Sequence, residues 1–125
     1  MPRKPIFAPG AAAIGPYSHA VESDGIVFLS GQTPIDSATG ALVEGDISVQ
    51  TQQCFVNLFN VLTQAGLTPD DVQKVNVYLT DMANFAAMNE IYRQQFSEPF
   101  PARTTVAVAA LPMGAMVEIE MIARR

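Results

Sequence analysis

The amino-acid sequence predicts an α+β fold, in which a single mixed β-sheet carries two helices packed on one of its faces. Two observations lead to this prediction. Apolar residues recur at helical spacing in two segments, and short apolar runs bounded by turn residues fill much of the remaining chain. The predicted order is hairpin, helix, strand, helix, strand, strand, which favours helices gathered on one side of a mixed sheet. With 125 residues, the chain is expected to form one domain, residues 1–125.

The first third of the chain is expected to hold short strands and turns. Residues 1–16 are rich in Pro and Ala and are predicted to be irregular. Strands are predicted at 17–21 and 26–30, and Ser23-Asp24-Gly25 between them has the composition of a hairpin turn. After them come Gly31-Gln32-Thr33-Pro34, which ends the second strand, a turn at 36–40 and a brief strand at 41–43.

A helix is predicted over 48–65, with Gly66 as its C-terminal cap. One face of this helix is apolar and carries Cys54, Phe55, Leu58, Val61, Leu62 and Ala65. The opposite stripe is built from amides at Gln50, Gln53, Asn57, Asn60 and Gln64. A fully solvated helix face usually carries charges, so this amide stripe is unusual.

The second half of the chain is predicted to alternate strands with one further helix. Thr68-Pro69-Asp70-Asp71 has the pattern of a capped turn, with proline at the first helical position. The elements expected after it are a strand at 75–79, a helix at 82–96, a strand at 103–109, a turn at 111–114 and a strand at 116–123.

The composition excludes several classes of function. The formal net charge is -5, the pI is about 4.6, and basic residues cluster only in the first four and last two positions. A nucleic-acid-binding protein needs a positive footprint, so nucleic acid is not expected as a partner. No apolar run is long enough to predict a membrane helix or a signal peptide. A single cysteine fits a reducing compartment, and a cytoplasmic location is expected. Low charge content, 15%, predicts an oligomer.

Arg103 is the most informative residue of the sequence, because it is the one basic residue that interrupts an apolar run. A guanidinium keeps its charge when buried and therefore needs an anion beside it. Its planar fork of donors suits a carboxylate, which indicates a small organic acid as ligand. The alternative is an internal ion pair with Glu118 or Glu120, and the residues alone leave both interpretations open.

Other polar residues also lie within or at the ends of the predicted strands. Arg103 and Thr105 are two apart and should point to one side of their strand. The last turn should bring Glu118 back beside that strand, where its carboxylate can activate water, whereas Glu120 is expected to be solvated. Ser30 ends its strand beside Gly31, where the backbone can approach a ligand closely.

Several common kinds of site are not predicted. One histidine and one cysteine do not make a zinc site, and no phosphate-binding loop motif is present. Cys54 is expected to be a buried thiol on the apolar helix face. His19 alternates with Tyr17 along a predicted strand, and is expected to be an ordinary surface or interface residue.

Four short blocks, read together, resemble the RidA (YjgF) family of reactive-intermediate deaminases. They are Ile14-Gly15-Pro16-Tyr17-Ser18, Leu29-Ser30-Gly31-Gln32-Thr33-Pro34, Phe100-Pro101-Ala102-Arg103-Thr104-Thr105, and Leu111-Pro112 followed by Val117-Glu118-Ile119-Glu120. The resemblance covers nearly the whole chain. It implies a chorismate-mutase-like fold assembled as a homotrimer, with a cleft at each subunit interface.

The resemblance also implies an activity that needs no cofactor. Members of this family hydrolyse 2-imino acids, such as 2-iminobutanoate and 2-iminopropanoate, or enamines such as 2-aminoacrylate, to 2-keto acids and ammonia. The family pattern implies that Arg103 clamps the substrate carboxylate, with help from the backbone N–H of Thr105. It implies that Glu118 positions or activates the attacking water. Ser30 and a neighbouring subunit's Tyr17 are implied to line the cleft, to which Gly31 contributes backbone atoms. Asn89 and Tyr92 match a further family block without a defined role.

One departure from the family pattern concerns Thr105, where many members carry cysteine. The implied contact there is made by the backbone, so activity is still expected, but thiol chemistry at this position is not. Three other functions remain as alternatives: a non-enzymatic sensor or carrier of small carboxylates, a ribonuclease or translation inhibitor, and a deaminase specialised for an aminomuconate-type compound. The acidic pI and the single histidine weigh against the ribonuclease.

Overall fold

A computed structural model describes residues 2–9 and 15–125 of the chain. These residues form the predicted α+β arrangement, one mixed sheet with two α-helices. The elements are β1 Lys4–Ile6, β2 Ala20–Ser23, β3 Ile26–Gln32, α1 Ile47–Gln64, β4 Val72–Leu79, α2 Phe85–Arg93, β5 Ala102–Ala107 and β6 Val117–Arg124. The strand order is β1-β2-β3-β6-β4-β5, and β4 pairs with β5 in parallel, whereas the other neighbours are antiparallel. The predicted fold class is therefore confirmed.

Local sequence signals explain the ends of the first helix and the first hairpin. The Asp46 carboxylate accepts the backbone N–H of Val49 at 3.1 Å and caps the start of α1. Gly66 follows the end of α1 with φ of 74°, as expected of a C-terminal glycine. Between β2 and β3, Asp24 and Gly25 both have positive φ, 54° and 77°. Two such residues make the tight turn that suits twisted antiparallel strands, and the predicted turn is confirmed.

The N-terminal prediction is wrong in two places. Residues Lys4–Ile6 form an edge strand on β2, although 1–16 were expected to be irregular; residues 1 and 10–14 lie outside the described residues. Tyr17 and His19 precede β2 and do not share a strand. The cause is a bend around Pro16, where the Tyr17 N–H donates to the Gly15 carbonyl at 2.8 Å.

Several element boundaries differ from the prediction for identifiable reasons. The expected helix at 82–96 is a 3₁₀ turn, Met82–Asn84, followed by α2, because Asp81 accepts the Ala83 N–H and starts a tighter turn. Residues 41–43 form only an isolated bridge, Leu42 with Ile35. The strand β3 runs on through Gly31 to Gln32, because a bulge accommodates one extra residue there.

The helices cover one face of the sheet and leave the other face exposed in the single chain. Both helices lie on one face, and the buried core between helices and sheet includes Phe55, Leu58, Leu62, Val75, Val77, Leu79, Met88, Ile119 and Met121. The other face, called the open face below, presents Phe28, Asn76, Tyr78, Val106, Glu118, Glu120 and Ile122. On the open face Phe28 is 44% exposed and Val106 42% exposed. Within the described part of the chain, neither helix has the length and apolar character required to cross a bilayer.

Candidate functional site

Arg103 lies on the helix-covered face of the edge strand β5. It stands beside Val75 in the parallel register, so its side chain points toward α2. Its Nη1 donates to the Asn89 Oδ1 at 2.6 Å. The guanidinium carbon is 4.5 Å from the centre of the Tyr92 ring and 5.5 Å from that of Phe85. These contacts hold the guanidinium through cation–π attraction and one hydrogen bond to the neutral amide oxygen of Asn89.

The alternative of an internal ion pair for Arg103 is not supported. Glu118 and Glu120 lie on the open face of β6, and β4 separates that strand from β5. Among the described residues, no carboxylate lies within ion-pair distance of Arg103. The charge therefore has no anion among the described residues, which is the condition expected of a site that takes its anion from a ligand.

A cavity of about 380 Å³ opens beside Arg103. Its walls are Asn89, Tyr92, Arg93, Phe100, Pro101 and Arg103. The Tyr92 and Thr105 hydroxyl groups are buried without a hydrogen-bond partner in the described structure. Burial raises the pKa of Tyr92 and the Arg103 charge opposes that rise only in part, so the phenol stays neutral. The sequence did not single out the wall residues Phe100 and Pro101 as ligand contacts. It also did not single out Phe85, which supports Arg103 from outside the cavity wall.

Glu118 and Gly31 meet on the open face. A Cβ added at Gly31 would lie 2.6 Å from the Glu118 Oε2, so only glycine leaves room for the carboxylate. The bulge in β3 creates this approach, because Leu29 pairs with Met121 and Gln32 with Ile119, which leaves Ser30 and Gly31 opposite one residue. The close contact of Gly31 in the described structure is thus with the Glu118 side chain, and the approach of its backbone to a ligand stays a prediction.

The environment of Glu118 raises the pKa of its carboxyl, first through burial and then through the negative charge of Glu120. Glu120 is not the solvated residue that was expected. Its Oε1 accepts the Tyr78 hydroxyl at 3.0 Å, and its Oε2 accepts the Asn76 side-chain amide at 3.3 Å. Asn76 and Tyr78 were missed, although their alternation with buried valines in Val75-Asn76-Val77-Tyr78-Leu79 marks one polar face.

Ser30, His19 and Tyr17 belong to the same end of the sheet. The Ser30 hydroxyl donates to the Ser18 carbonyl at 2.7 Å and so supports the loop that carries Tyr17. His19 is 3% exposed, contrary to the expected surface position, because its Nδ1 accepts the Ala8 N–H at 3.1 Å. Tyr17 is 45% exposed. These loops surround a cavity of about 270 Å³ lined by Ala8, Pro9, Tyr17, His19, Gly31, Gln32, Thr33, Ile35, Ser37, Gly40, Asn57, Asn60 and Val61.

The predicted site residues thus form two separate groups in one chain. The first, called the arginine group, contains Arg103, Thr105, Asn89 and Tyr92 on the helix-covered side of β5. The second, called the glutamate group, contains Glu118, Gly31, Ser30 and Tyr17 around β3 and β6. The expectation that Glu118 lies beside the strand of Arg103 is wrong, because β4 takes the position between β6 and β5.

Comparisons with known proteins agree on one family. The sequence model of a family described as Endoribonuclease L-PSP matches residues 8–125. A goat (Capra hircus) protein named 2-iminobutanoate/2-iminopropanoate deaminase is 45% identical over 116 residues, which cover 93% of this chain and 85% of the goat protein. A fission yeast (Schizosaccharomyces pombe) protein, the mitochondrial protein mmf1, is 42% identical over 97% of this chain and 75% of its own length.

The fold comparison points the same way. The crystal structure of RidA from the Antarctic bacterium Psychrobacter superposes with a TM-score of 0.93 at 44% sequence identity. The match covers 98% of this chain and 100% of the Psychrobacter chain.

Proposed function

Because the chain belongs to the Endoribonuclease L-PSP family, also called YjgF/RidA, we propose that it hydrolyses reactive 2-imino acids and their enamine tautomers to 2-keto acids and ammonia. One observation carries the proposal furthest. Arg103 is held in place by neutral groups, lacks a carboxylate partner in the described chain, and faces a cavity of about 380 Å³. A small carboxylate supplies the missing anion.

Arg103 is the proposed clamp for the substrate carboxylate. Asn89 engages Nη1, which leaves the other guanidinium N–H groups to bind the two carboxylate oxygens. The Tyr92 and Phe85 rings fix the guanidinium and keep water away from part of it, which strengthens its attraction for an anion. The Thr105 backbone N–H is the proposed second donor. Asn89 and Tyr92 thereby acquire a role as supports of Arg103.

Glu118 is the proposed base. It takes one proton from water as the oxygen attacks the imine carbon, and it passes that proton to the imine nitrogen. It then takes the remaining hydroxyl proton as the carbonyl forms and passes it to the same nitrogen, which leaves as ammonia. A carboxyl with a raised pKa is a stronger base than an ordinary glutamate and suits proton exchange nearer neutral pH. Imines react readily with water, so orientation and modest base catalysis suffice without a cofactor.

The arginine and glutamate groups need a second chain to meet. We propose a homotrimer in which the arginine group of one subunit faces the glutamate group of the next, with Tyr17 closing the shared cleft. The separation of the two groups by the sheet supports this assembly, as do the exposed apolar residues of the open face, Phe28 and Val106. Apolar surface of this kind is commonly covered in oligomers.

The proposed homotrimer predicts the mass of the protein in solution. Sedimentation equilibrium at micromolar concentration should give about three times the chain mass of 13.4 kDa. A stable monomer that still hydrolyses imines would contradict the shared cleft, because Arg103 and Glu118 do not meet within one chain.

The proposed activity is tested with a panel of imines generated in situ by an amino-acid oxidase. Keto-acid release should exceed the uncatalysed rate, and freshly generated 2-aminoacrylate should be consumed faster than in buffer. The control is heat-denatured protein at the same concentration. Tight binding of a keto acid without any acceleration would contradict the proposal and favour the carboxylate sensor instead.

A further inference from the structure

We propose that Glu120, held by hydrogen bonds from Tyr78 and Asn76, is a positioning residue whose carboxylate lies on the same face of β6 as Glu118 and supports proton exchange by Glu118. The inference deepens the proposed function and rests on it for its catalytic meaning. Its structural part, the control of one carboxyl group by another, is independent of the substrate.

The geometry of the open face holds Glu120 in one place. Alternation along β6 puts Glu118 and Glu120 on the same face, roughly 7 Å apart along the strand. Tyr78 stands beside Glu118 in the antiparallel register and reaches along the sheet to Glu120, whereas Asn76 stands directly beside Glu120. Each oxygen of the Glu120 carboxylate thus accepts a different donor, so the group cannot rotate away without losing a hydrogen bond.

The groups that face Glu118 from neighbouring elements do not neutralise this charge. From β4, Tyr78 is neutral, because burial first and the bond to Glu120 next raise the pKa of its phenol. From β3, Gly31 brings no charge. From α1, the Cys54 thiol packs behind β6, and burial with the Glu118 charge raises its pKa, so it stays protonated.

Two cations of this chain lie on or near this face. Arg124 follows on the same face of β6, but six residues, roughly 20 Å, separate it from Glu118 along the strand. The Lys74 ammonium donates to the Thr104 hydroxyl at 2.9 Å, beyond Glu120 on the side away from Glu118.

In the proposed cleft the neighbouring subunit brings two further cations. They are Arg103, whose charge the substrate carboxylate balances, and Arg93, which lies 3.7 Å from Glu90 of its own chain. Glu120 is therefore the charge that acts on Glu118, and it adds to the effect of burial.

The consequence is a division of work between two carboxylates on one strand. Glu118 exchanges its proton, and two hydrogen bonds hold the Glu120 carboxylate in place on the same face. Without the Glu120 charge, Glu118 should become a weaker base. Its titration should move to lower pH, and the acid limb of the rate profile should move with it.

The test follows the carboxyl carbon of Glu118 by NMR in the full-length protein labelled with ¹³C at glutamate, without substrate. Glu118→Gln identifies the signal. The quantity measured is the pH at the midpoint of the Glu118 titration, called the Glu118 midpoint below. In Glu120→Gln this midpoint should fall to lower pH, and the acid limb of the pH profile of kcat should shift in the same direction. In Glu120→Asp, which keeps the charge, most of the raised midpoint should remain. Glu44→Gln removes an exposed charge elsewhere and should leave the midpoint unchanged.

An unchanged Glu118 midpoint in Glu120→Gln overturns the proposal, as does an equal fall in Glu120→Asp. If Glu120→Gln does not fold, Tyr78→Phe takes its place, because this variant removes the hydrogen bond to one oxygen of Glu120. It should lower the Glu118 midpoint by a smaller amount. An unchanged midpoint in Tyr78→Phe also overturns the proposal. A wild-type protein without turnover, but with a midpoint that responds to Glu120, refutes the deaminase function and upholds the carboxyl pair.

Discussion

Arg103→Ala should lose nearly all turnover while the protein keeps its fold. The lost contact is a charge-assisted carboxylate clamp, and truncating one partner of such a pair costs about 2–5 kcal/mol, which corresponds to a fall in kcat/KM of roughly 30-fold to several thousand-fold. The fold should survive because the partners of Arg103 are the Asn89 amide and two aromatic rings, so no buried carboxylate is left without its counter-charge. The measurements are kcat/KM and thermal unfolding on one preparation.

Two further variants separate the clamp from simple charge. Arg103→Lys keeps the charge but lacks the planar fork, so it should recover only part of the activity. Arg124→Ala removes an exposed cation at the end of β6 and should behave as wild type. A loss of stability of about 3–5 kcal/mol in Arg103→Ala would identify a structural ion pair, and unchanged activity would remove the ligand role.

Glu118→Gln should retain binding of a keto-acid product and lose roughly 100- to 10,000-fold in kcat, the usual worth of general base catalysis. The amide keeps the shape of the carboxyl and removes its basicity. Glu120→Gln should lose much less at a pH well above the acid limb. Equal losses would mean that the open face acts through general electrostatics, and a loss confined to Glu120 would identify it as the base instead.

Gly31→Ala tests the position of the Glu118 carboxylate rather than its chemistry. The new methyl group would stand 2.6 Å from the present Oε2 position, so the carboxylate must move. The displaced atoms are the end of a flexible side chain, and we therefore expect lower kcat with nearly normal stability. A methyl group tolerated without any change in kcat would mean that Glu118 works from another position.

The raised pKa of Glu118 also gives the sign of a stability effect. A folded-state carboxyl with a raised pKa holds its proton more tightly than the unfolded chain does. The wild type therefore loses stability as the pH rises through that folded-state value, and Glu118→Gln does not. The variant should have the higher Tm at neutral pH, with the difference vanishing in acid.

Local patterns predicted the first helix and the first hairpin turn because their signals lie in neighbouring residues. The apolar face of α1, its Gly66 cap and the Asp24-Gly25 turn are cases of this kind. The strand order could not be predicted in the same way. Successive strands usually pair, so the strand of Glu118 was placed beside that of Arg103. In the structure β5 runs parallel to β4, and β6 occupies the other edge of β4.

The candidate site also depends on contacts between residues that are distant in sequence. The sequence singled out Arg103 because a charge within an apolar run requires a partner, and it singled out Glu118 through the expected last turn together with the family resemblance. The bonds of Tyr78 and Asn76 to Glu120 join strands more than 40 residues apart in sequence. Neither periodicity nor spacing encodes such a pairing, so Glu120 was assigned to solvent.

Arg103 and Glu118 lie on opposite faces of one sheet, so a shared cleft takes them from two different chains. This arrangement predicts complementation between two inactive alleles of the same gene. A mutation in the arginine group and a mutation in the glutamate group damage different halves of each cleft. When one cell carries both alleles, mixed trimers contain clefts that draw an intact arginine from one chain and an intact glutamate from the other. Random mixing of equal amounts leaves about one cleft in four complete. Two alleles that are each inactive would then complement one another, although both lie in the same gene.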